Sequence, residues 1–250
     1  MDARTFQLDS SSCSYLPDQQ STTEFEMDPT LAASDYEQRM NEGWRKFGLL
    51  LFRPVCATCT ACRSLRVLVD RFQPDRSQTR AWRRNLDLRV ELAPPSVDDQ
   101  RLELYWRYHQ AQADRKGWES EWVDAEEYAF RFVQNTVPRV EVSIWQGEAL
   151  CAVALTEVTP NCVSAIYHYY DPELRSRSLG TYIVLRIIEL AKNLGKPYVH
   201  LGYYVAGCGS LAYKARFRPC EARHADGSWA SVDLPIDLSA TELCKVGVDF

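Results

Sequence analysis

A chain of 250 residues is long enough for one large domain or two joined ones. With 46% hydrophobic and 25% charged residues it can bury a substantial core, which excludes a globally disordered chain. No apolar run approaches the roughly 18 residues of a membrane span, and the first residues lack the apolar stretch of a signal peptide. We therefore expect a soluble, cytoplasmic protein with no membrane partner.

Charge is unevenly distributed along this chain, whose net charge is -5. Residues 39–93 contain twelve Lys or Arg and five Asp or Glu, and residues 175–218 contain eight and one. Such basic stretches are either solvated faces or a confined surface for an anionic partner. Because phosphate backbones bind to confined Lys and Arg surfaces, RNA is an admissible partner of this acidic protein.

The first half of the chain alternates polar, turn-rich stretches with short strands. The clearest strand covers residues 64–69, where apolar and other residues alternate as in a half-buried sheet. Pro94 and Pro95 then break the chain. We predict two lobes, a smaller cysteine-containing N-terminal lobe over residues 1–95 and a larger lobe over residues 96–250.

Four cysteines of the N-terminal lobe are candidate metal ligands. Cys56, Cys59 and Cys62 have C-x-x-C-x-x-C spacing, and Cys13 supplies a possible fourth thiolate. Four thiolates suit tetrahedral zinc or an iron–sulfur cluster. The alternative is that reduced or partly oxidised thiols pack the lobe, and the sequence leaves both open.

The second half has the pattern of an α/β (α+β) acyltransferase. Helices are predicted over residues 98–116 and from a cap at Asp124, followed by an antiparallel meander over residues 139–145, 149–158 and 163–170. A long helix over 178–194, a strand over 198–204 and a helix over 210–216 complete the order. This order is that of the Gcn5-related acyltransferase fold, which we predict for the C-terminal lobe.

In that fold a Gln/Arg-x-x-Gly-x-Gly/Ala turn opens the long helix, so that its amides approach a coenzyme A pyrophosphate. Here the aligned segment runs from Arg177 through Gly180 to Tyr182. Tyr182 stands where the fold has a small residue. We therefore expect a tyrosine ring to fill the turn, which disfavours coenzyme A as the donor.

Ordered sequence blocks extend over most of the chain. They comprise Cys13–Pro17, Gly43–Gly48, Arg53–Cys62, Leu65–Arg66, Ser77–Arg80, Tyr167–Pro172, Ser178–Tyr182, Leu201–Tyr204 and Tyr213–Pro219. Together they resemble the blocks of the arginyl-tRNA–protein transferase family, and most closely those of its bacterial, leucine-transferring branch.

The resemblance implies transfer of leucine, or arginine, from a charged tRNA to proteins with N-terminal Asp or Glu, which marks them for degradation. The amine of the acceptor attacks the ester of the aminoacyl-tRNA, and this chemistry requires no cofactor. Two alternatives stay open: a coenzyme A-dependent N-acetyltransferase, and a non-enzymatic RNA-binding protein with a cysteine metal site.

The same blocks supply candidate catalytic residues. Asp171 is expected to accept the proton of the amine, directly or through His168. Tyr203 or Tyr204 is expected to donate to the carbonyl oxygen or the leaving hydroxyl.

Recognition of the substrates is assigned to basic residues and to the helix-opening turn. An acidic N-terminal residue calls for a bidentate cation, so Arg66, which lies in an apolar strand, is the first candidate; Arg45 and Lys46 are expected to be more exposed alternatives. The other expected substrate-binding residues are Tyr167, Ser178, Leu179, Gly180, Lys214 and Arg216. Lys214, Arg216 and Arg218 are expected to contact the acceptor end of the tRNA. Arg80, Arg83 and Arg84, beside Trp82, suit the RNA backbone and base stacking, and the alternative is an ordinary solvated helix.

Overall fold

A computed structural model describes residues 4–117 and 122–232, so the outer ends of both predicted lobes lie outside the described residues. The first half contains β1 (Arg4–Gln7), β2 (Ser11–Ser12), β3 (Gln20–Ser21), β4 (Thr23–Met27), α1 (Ala33–Asn41), β5 (Arg45–Phe47), β6 (Leu50–Pro54), β7 (Arg63–Leu68), α2 (Arg76–Arg84) and β8 (Arg89–Ala93). The second half contains α3 (Asp99–Lys116), α4 (Ala125–Tyr128), β9 (Arg139–Gln146), β10 (Ala149–Val158), β11 (Cys162–Tyr170), α5 (Leu179–Asn193), β12 (Tyr198–Tyr204), α6 (Gly209–Ala212), β13 (Cys220–Arg223) and β14 (Trp229–Ser231).

Most strands join one open, mixed sheet of eight strands in the order β14-β13-β7-β12-β11-β10-β9-β8. The predicted meander is confirmed, because β9, β10 and β11 pair as antiparallel neighbours, and β12 then pairs parallel to β11. The predicted fold class is therefore confirmed. A smaller sheet, β1-β4-β6-β5, and the β2-β3 hairpin complete the described strands.

The large sheet draws strands from both sides of the Pro94–Pro95 break. β7 lies between β12 and β13, and β8 forms an edge beside β9. The sheets therefore divide the chain differently from a boundary at residue 95. The two-lobe division itself stays a prediction.

Helix boundaries follow local capping signals. Asp98 caps α3 by accepting a hydrogen bond of 2.9 Å from the Arg101 amide, and Gly117 ends the helix with a φ of +69°. Asp124 caps α4 through the Glu127 amide, but α4 continues into a π-helical segment over Ala129–Val133. The capping residues thus fix where both helices begin.

Tyr182 does not fill the first turn of α5, contrary to prediction. Its ring is fully buried and packs edge-on against Trp82 of α2, with ring centroids 5.6 Å apart. Its hydroxyl donates to the Asn85 carbonyl over 3.2 Å and accepts from Arg186 Nε over 2.9 Å. The side chain points to α2 because it lies about one turn beyond the residues that open the helix.

Candidate functional site

Two cavities lie where β11 and β12 separate. These strands pair over Cys162–Ser164 and Tyr198–His200. The register of β12 against β7 then shifts at Gly202, which has a φ of +79° that favours glycine. Beyond this point lie cavities of about 1040 Å³ and about 500 Å³, and the residues that line both are Ala165, Ile166, Tyr167, Leu201, Leu211 and Lys214.

The larger cavity contains a buried arginine. Arg45 on β5 is only 6% exposed, and its Nη1 donates to the Trp44 carbonyl over 3.0 Å. Among the residues that the structure describes, its Nε and Nη2 have no hydrogen-bond partner. Burial lowers the pKa of Arg45, but an arginine remains charged near neutral pH. Arg45 therefore lines the larger cavity with a guanidinium whose buried Nε and Nη2 lack a hydrogen-bond partner among the described residues, and its Cζ lies 5.5 Å from the centre of the Tyr203 ring.

Lys46 differs from Arg45 because its charge is compensated. Its Nζ donates to Glu157 over 3.0 Å and also to Asn135. Both side chains of the Lys46–Glu157 pair are inaccessible to solvent. The expectation that Arg45 and Lys46 are exposed is therefore wrong, and only Arg45 of the two has unsatisfied donors at the cavity.

Lys214 lies at the boundary of the two cavities. Its Nζ donates to the Tyr203 carbonyl over 2.8 Å. An added Cβ on Gly202 would lie 3.4 Å from Lys214 Nζ, so this amine lies close to the Gly202 backbone. Burial, and next the charge of Arg45, lower the pKa of Lys214 to about 7. A lysine with this pKa is partly neutral near pH 7 and can accept a proton.

The smaller cavity is lined by four basic side chains: Arg115, Lys116, Arg175 and Lys214. No Asp or Glu belongs to its lining within the described part of the chain. Burial and the neighbouring Arg115 lower the pKa of Lys116 to about 8. The cavity therefore suits a polyanion. Arg115 and Lys116 were not predicted from the sequence, because cations at the end of a helix such as α3 are common. Arg175 was counted only as part of the basic stretch 175–218.

The first turn of α5 borders the smaller cavity, as the sequence blocks suggested. Ser178, Leu179 and Gly180 line it. Ser178 has a φ of +56° and is the sole non-glycine residue with positive φ in the described ranges. At Gly180 an added Cβ would lie 3.1 Å from the Tyr170 ring, so any larger residue requires this ring to shift.

His168 and Asp171 do not form a proton-accepting pair. His168 lines the smaller cavity, and burial, followed by the charges of Lys214 and Lys116, lowers its pKa to about 4. Asp171 lies outside both cavity linings. Its Oδ1 binds Arg107 over 2.5 Å and caps the next turn through the Glu173 amide. The assignment of Asp171 as the base is therefore corrected.

The two tyrosines of β12 point in different directions, because side chains alternate along a strand. Tyr203 lines the larger cavity, but its hydroxyl already donates to the carbonyls of Gly43 over 2.8 Å and Phe52 over 3.3 Å. Tyr204 lines a separate cavity. Neither hydroxyl is placed to donate to an ester where the two main cavities meet.

Arg66 is paired away from both cavities. Its guanidinium lies 2.8 Å from Glu221 and between the rings of Tyr198 and Trp229, each centroid 4.1 Å from Cζ. Its choice as the acceptor-binding cation assumed that it had no partner in an apolar strand. The structure supplies the partners from distant segments, so Arg66 is corrected to a stabilising residue.

We expect Arg66→Met to lower the free energy of unfolding by about 1–3 kcal/mol, because two cation–π contacts and a half-buried ion pair are lost. Denaturant unfolding measures this loss. Transfer kinetics of the folded variant should match those of the wild type. A stable variant that selectively loses transfer to Asp and Glu peptides would instead support Arg66 as the acceptor-binding cation.

The four candidate metal ligands line the same cavity. Cys13, Cys56, Cys59 and Cys62 border the larger cavity as free thiols. Burial, and next the other three thiols, raise the pKa of Cys62 to about 12. Within residues 4–117 and 122–232, no group of three or more His, Cys, Asp or Glu side chains has metal-binding geometry. A zinc or iron–sulfur site stays a prediction from the spacing of the four cysteines.

The predicted RNA-binding arginines separate into two groups. Arg80 and Arg83 lie exposed on α2, and Arg84, also exposed, donates to the Ser176 carbonyl. Arg218 instead donates to the carbonyls of Ala215 and Val232 over 3.3 and 3.2 Å. Arg216 is exposed near the start of α2, with Nη2 2.9 Å from Ser77 Oγ. The α2 arginines and Arg216 thus share one exposed region, whereas Arg218 is hydrogen-bonded to backbone carbonyls.

The candidate site thus consists of two adjoining cavities where the parallel strands β11 and β12 of the open mixed sheet separate. Family models of the arginine-tRNA-protein transferases match this chain, the N-terminal model over residues 11–80 and the C-terminal model over residues 100–224. The chain belongs to this family, and is therefore an aminoacyl-tRNA–protein transferase that acts on tRNA and protein substrates.

Similar proteins include three named aspartate/glutamate leucyltransferase. Those of Campylobacter jejuni, Nitrosococcus oceani and Pseudomonas fluorescens are 32%, 36% and 36% identical to this chain. The alignments cover 84%, 87% and 84% of this chain and 88%, 91% and 89% of the relatives. The solved structure of FemX aligns with 80% of this chain and 79% of that chain at 10% identity and a TM-score of 0.44. In the described ranges, no helix combines the length and apolarity needed to cross a membrane.

Proposed function

We propose that this enzyme transfers leucine from leucyl-tRNA to proteins that begin with Asp or Glu, in the cytoplasm, and so marks them for degradation. The observation that carries the proposal is the buried Arg45, whose Nε and Nη2 have no partner in the described residues and which lines the larger cavity. A buried cation without a partner is costly unless a ligand pairs with it. The relatives' name states the same acceptors for those proteins.

The acceptor N-terminus occupies the larger cavity in this proposal. The guanidinium of Arg45 offers two parallel donors, which match the two oxygens of a side-chain carboxylate. Amides such as Asn and Gln supply one oxygen and no charge. The larger cavity therefore selects Asp or Glu by charge and by two-point geometry.

The aminoacylated end of the tRNA occupies the smaller cavity. Arg115, Lys116 and Arg175 line it and meet the backbone phosphates of the terminal nucleotides. The side chain of the donor amino acid lies at the boundary, where Ala165, Ile166, Leu201 and Leu211 are apolar. The smaller cavity has no carboxylate among its described lining residues to pair with a guanidinium. This chemistry favours leucine over arginine.

Lys214 lies where the acceptor amine meets the ester. The α-ammonium first gives one proton to neutral Lys214, and the resulting amine attacks the ester carbonyl carbon. The carbon–oxygen bond to the ribose then breaks as the amide bond forms. The second proton of the amine passes to the ribose oxygen, which leaves as a hydroxyl, and Lys214 returns its proton to solvent. The ester is already activated, so this route uses no cofactor.

A transfer assay with matched substrates tests the proposed function. Leucyl-, arginyl- and phenylalanyl-tRNA are each supplied with peptides that begin with Asp, Glu, Asn or Gln. We expect leucine on the Asp and Glu peptides. Transfer of arginine alone would contradict leucyl-tRNA as the donor. Equal transfer to the Asn and Gln peptides would contradict the selection of Asp and Glu as acceptors. Thermal stabilisation by acetyl-coenzyme A without any transfer would favour an N-acetyltransferase.

The exposed arginines of α2 predict a salt-dependent contact with tRNA. Replacing Arg80 and Arg83 with Gln should reduce the slope of log Kd against log salt concentration by about 1 to 2, because about one counterion is released per phosphate contact. Binding of charged tRNA at several salt concentrations measures the slope. The control replaces Arg4 on β1 and Lys192 at the end of α5, both exposed. An unchanged slope in the α2 variant would make α2 an ordinary solvated surface.

A further inference from the structure

Two arginines of the larger cavity carry charges that no described carboxylate offsets. Arg63 on β7 and Arg223 on β13, here called the arginine pair, both line this cavity. In the described part of the chain, their hydrogen-bond partners are backbone carbonyls and the ring of His224. Asp9 is the one Asp or Glu among the described lining residues, and it is not a hydrogen-bond partner of either arginine. The arginine pair therefore makes its end of the cavity positive.

Neutral groups hold both guanidiniums in place. Arg63 Nε donates to the Arg223 carbonyl over 3.1 Å, and its Nη2 donates to the Ala222 carbonyl over 3.3 Å and lies 3.0 Å from His224 Nε2. Arg223 Nε donates to the Asn41 carbonyl over 2.6 Å, and its Nη1 donates to the His224 carbonyl over 3.3 Å. Among the described residues, Nη1 of Arg63 and Nη2 of Arg223 have no hydrogen-bond partner. The pair is thus oriented without being neutralised.

The arginine pair is connected to Arg45 through two shared neighbours. An added Cβ on Gly43 would lie 3.6 Å from Arg223 Nη1, and the Gly43 carbonyl accepts a hydrogen bond of 2.8 Å from the Tyr203 hydroxyl. The Cζ of Arg45 lies 5.5 Å from the centre of the Tyr203 ring. Gly43 and Tyr203 therefore lie between the arginine pair and the cation that is proposed to bind the first acceptor residue.

The acceptor is a protein chain that continues beyond its first residue. A cavity of about 1040 Å³ is several times larger than one Asp or Glu residue. His224 lines this cavity and is exposed, so the end of the cavity with the arginine pair reaches solvent. A chain whose first residue lies at Arg45 can therefore leave the cavity past Arg63 and Arg223.

We propose that the enzyme also reads the second or third residue of the acceptor: the arginine pair binds a carboxylate there and favours acceptors with Asp or Glu at one of these positions. A guanidinium pairs with a carboxylate through charge-assisted hydrogen bonds. A tRNA phosphate has similar chemistry, but the smaller cavity and α2 supply separate basic side chains for tRNA. This inference rests on the proposed placement of the acceptor in the larger cavity.

Matched peptides test the proposal in the wild-type enzyme. Each peptide has the same first residue and carries Glu or Gln at position 2, 3 or 8. The charged tRNA and the first residue are those that the wild type uses fastest. Glu should raise kcat/KM by about two- to fivefold over Gln at position 2 or 3, as expected of a partly exposed ion pair. Position 8 is the control and should show no preference, because an extended chain has by then advanced about 24 Å.

Variants of Arg223 assign the preference to the arginine pair. Arg223→Gln should bring the ratio of Glu to Gln peptides toward one and leave the Kd for charged tRNA unchanged. Arg223→Glu should favour Lys over Glu at the same position. The control is Arg53→Gln, which should keep the wild-type ratio because Arg53 pairs with Glu24 and does not line the cavity.

Two results would overturn the proposal. One is equal kcat/KM for the Glu and Gln peptides in the wild type. The other is weaker tRNA binding by Arg223→Gln with an unchanged peptide ratio, which would assign the arginine pair to a tRNA phosphate. Failure of the proposed function gives a different result, because the preference of Arg45→Met for a first residue of Asp over Asn would then equal that of the wild type.

Discussion

Arg45→Met should lower kcat/KM for peptides that begin with Asp or Glu by about ten- to more than a hundredfold. A hydrogen bond to a charged group contributes about 1.5–3 kcal/mol, and this guanidinium offers two donors with no other partner among the described residues. Arg45→Lys should recover only part of the activity, since an ammonium keeps the charge and loses the planar two-point contact. Steady-state transfer kinetics measure both variants.

The ratio of activity toward Asp and Asn peptides is the decisive readout for Arg45. This ratio should fall toward one in Arg45→Met, because the other two arginines that line the cavity, Arg63 and Arg223, already donate to backbone carbonyls. The matched control is Arg53→Met, since Arg53 on the adjacent β6 pairs with Glu24 over 2.6 Å and does not line the cavity. A stable Arg45→Met variant with an unchanged ratio would remove Arg45 from acceptor recognition.

Lys214→Met should lower kcat by about a hundred- to ten-thousandfold, the range of a general base. Wild-type kcat should rise with pH through about 7, because neutral Lys214 accepts the proton and its pKa is about 7. In the variant, kcat should no longer rise through pH 7. The rise near pH 8, which comes from deprotonation of the acceptor α-amine, should remain. Lys116→Met is the matched control, since it removes a partly buried lysine from the smaller cavity. It should raise the KM for tRNA and keep the rise of kcat through pH 7.

Loss of folding does not explain the expected effect of Lys214→Met. The pKa of Lys214 is about 7 in the folded protein, below its ordinary value of 10.5. Between these pH values the unfolded chain binds more protons, so wild-type stability rises with pH across that window. The variant should therefore be more stable than the wild type at pH 7, and this difference should shrink toward pH 10.5. A folded Lys214→Met variant with wild-type kcat would exclude Lys214 as the base.

Local signals in the sequence determined the secondary structure and the family. Asp98 and Gly117 bound α3 because a capping carboxylate and a left-handed glycine act within a few residues. The alternation of strand-forming residues and turns likewise predicted β9, β10 and β11. The sequence blocks around Gly43, Cys56, Tyr167 and Lys214 identified the family, which the family models confirm.

Tertiary structure alone decided which charged residues face the site. Arg66 and Glu221 are 155 positions apart, and Lys46 and Glu157 are 111 apart. The sequence around each cation therefore does not reveal whether it is paired. The prediction that the Tyr182 ring fills the turn that opens α5 was wrong for the same reason, since the ring packs against Trp82 of α2, which is distant in sequence. Arg45 and Lys46 are adjacent in sequence and both buried, yet only the packing of distant strands leaves one of them with unpaired donors at the cavity.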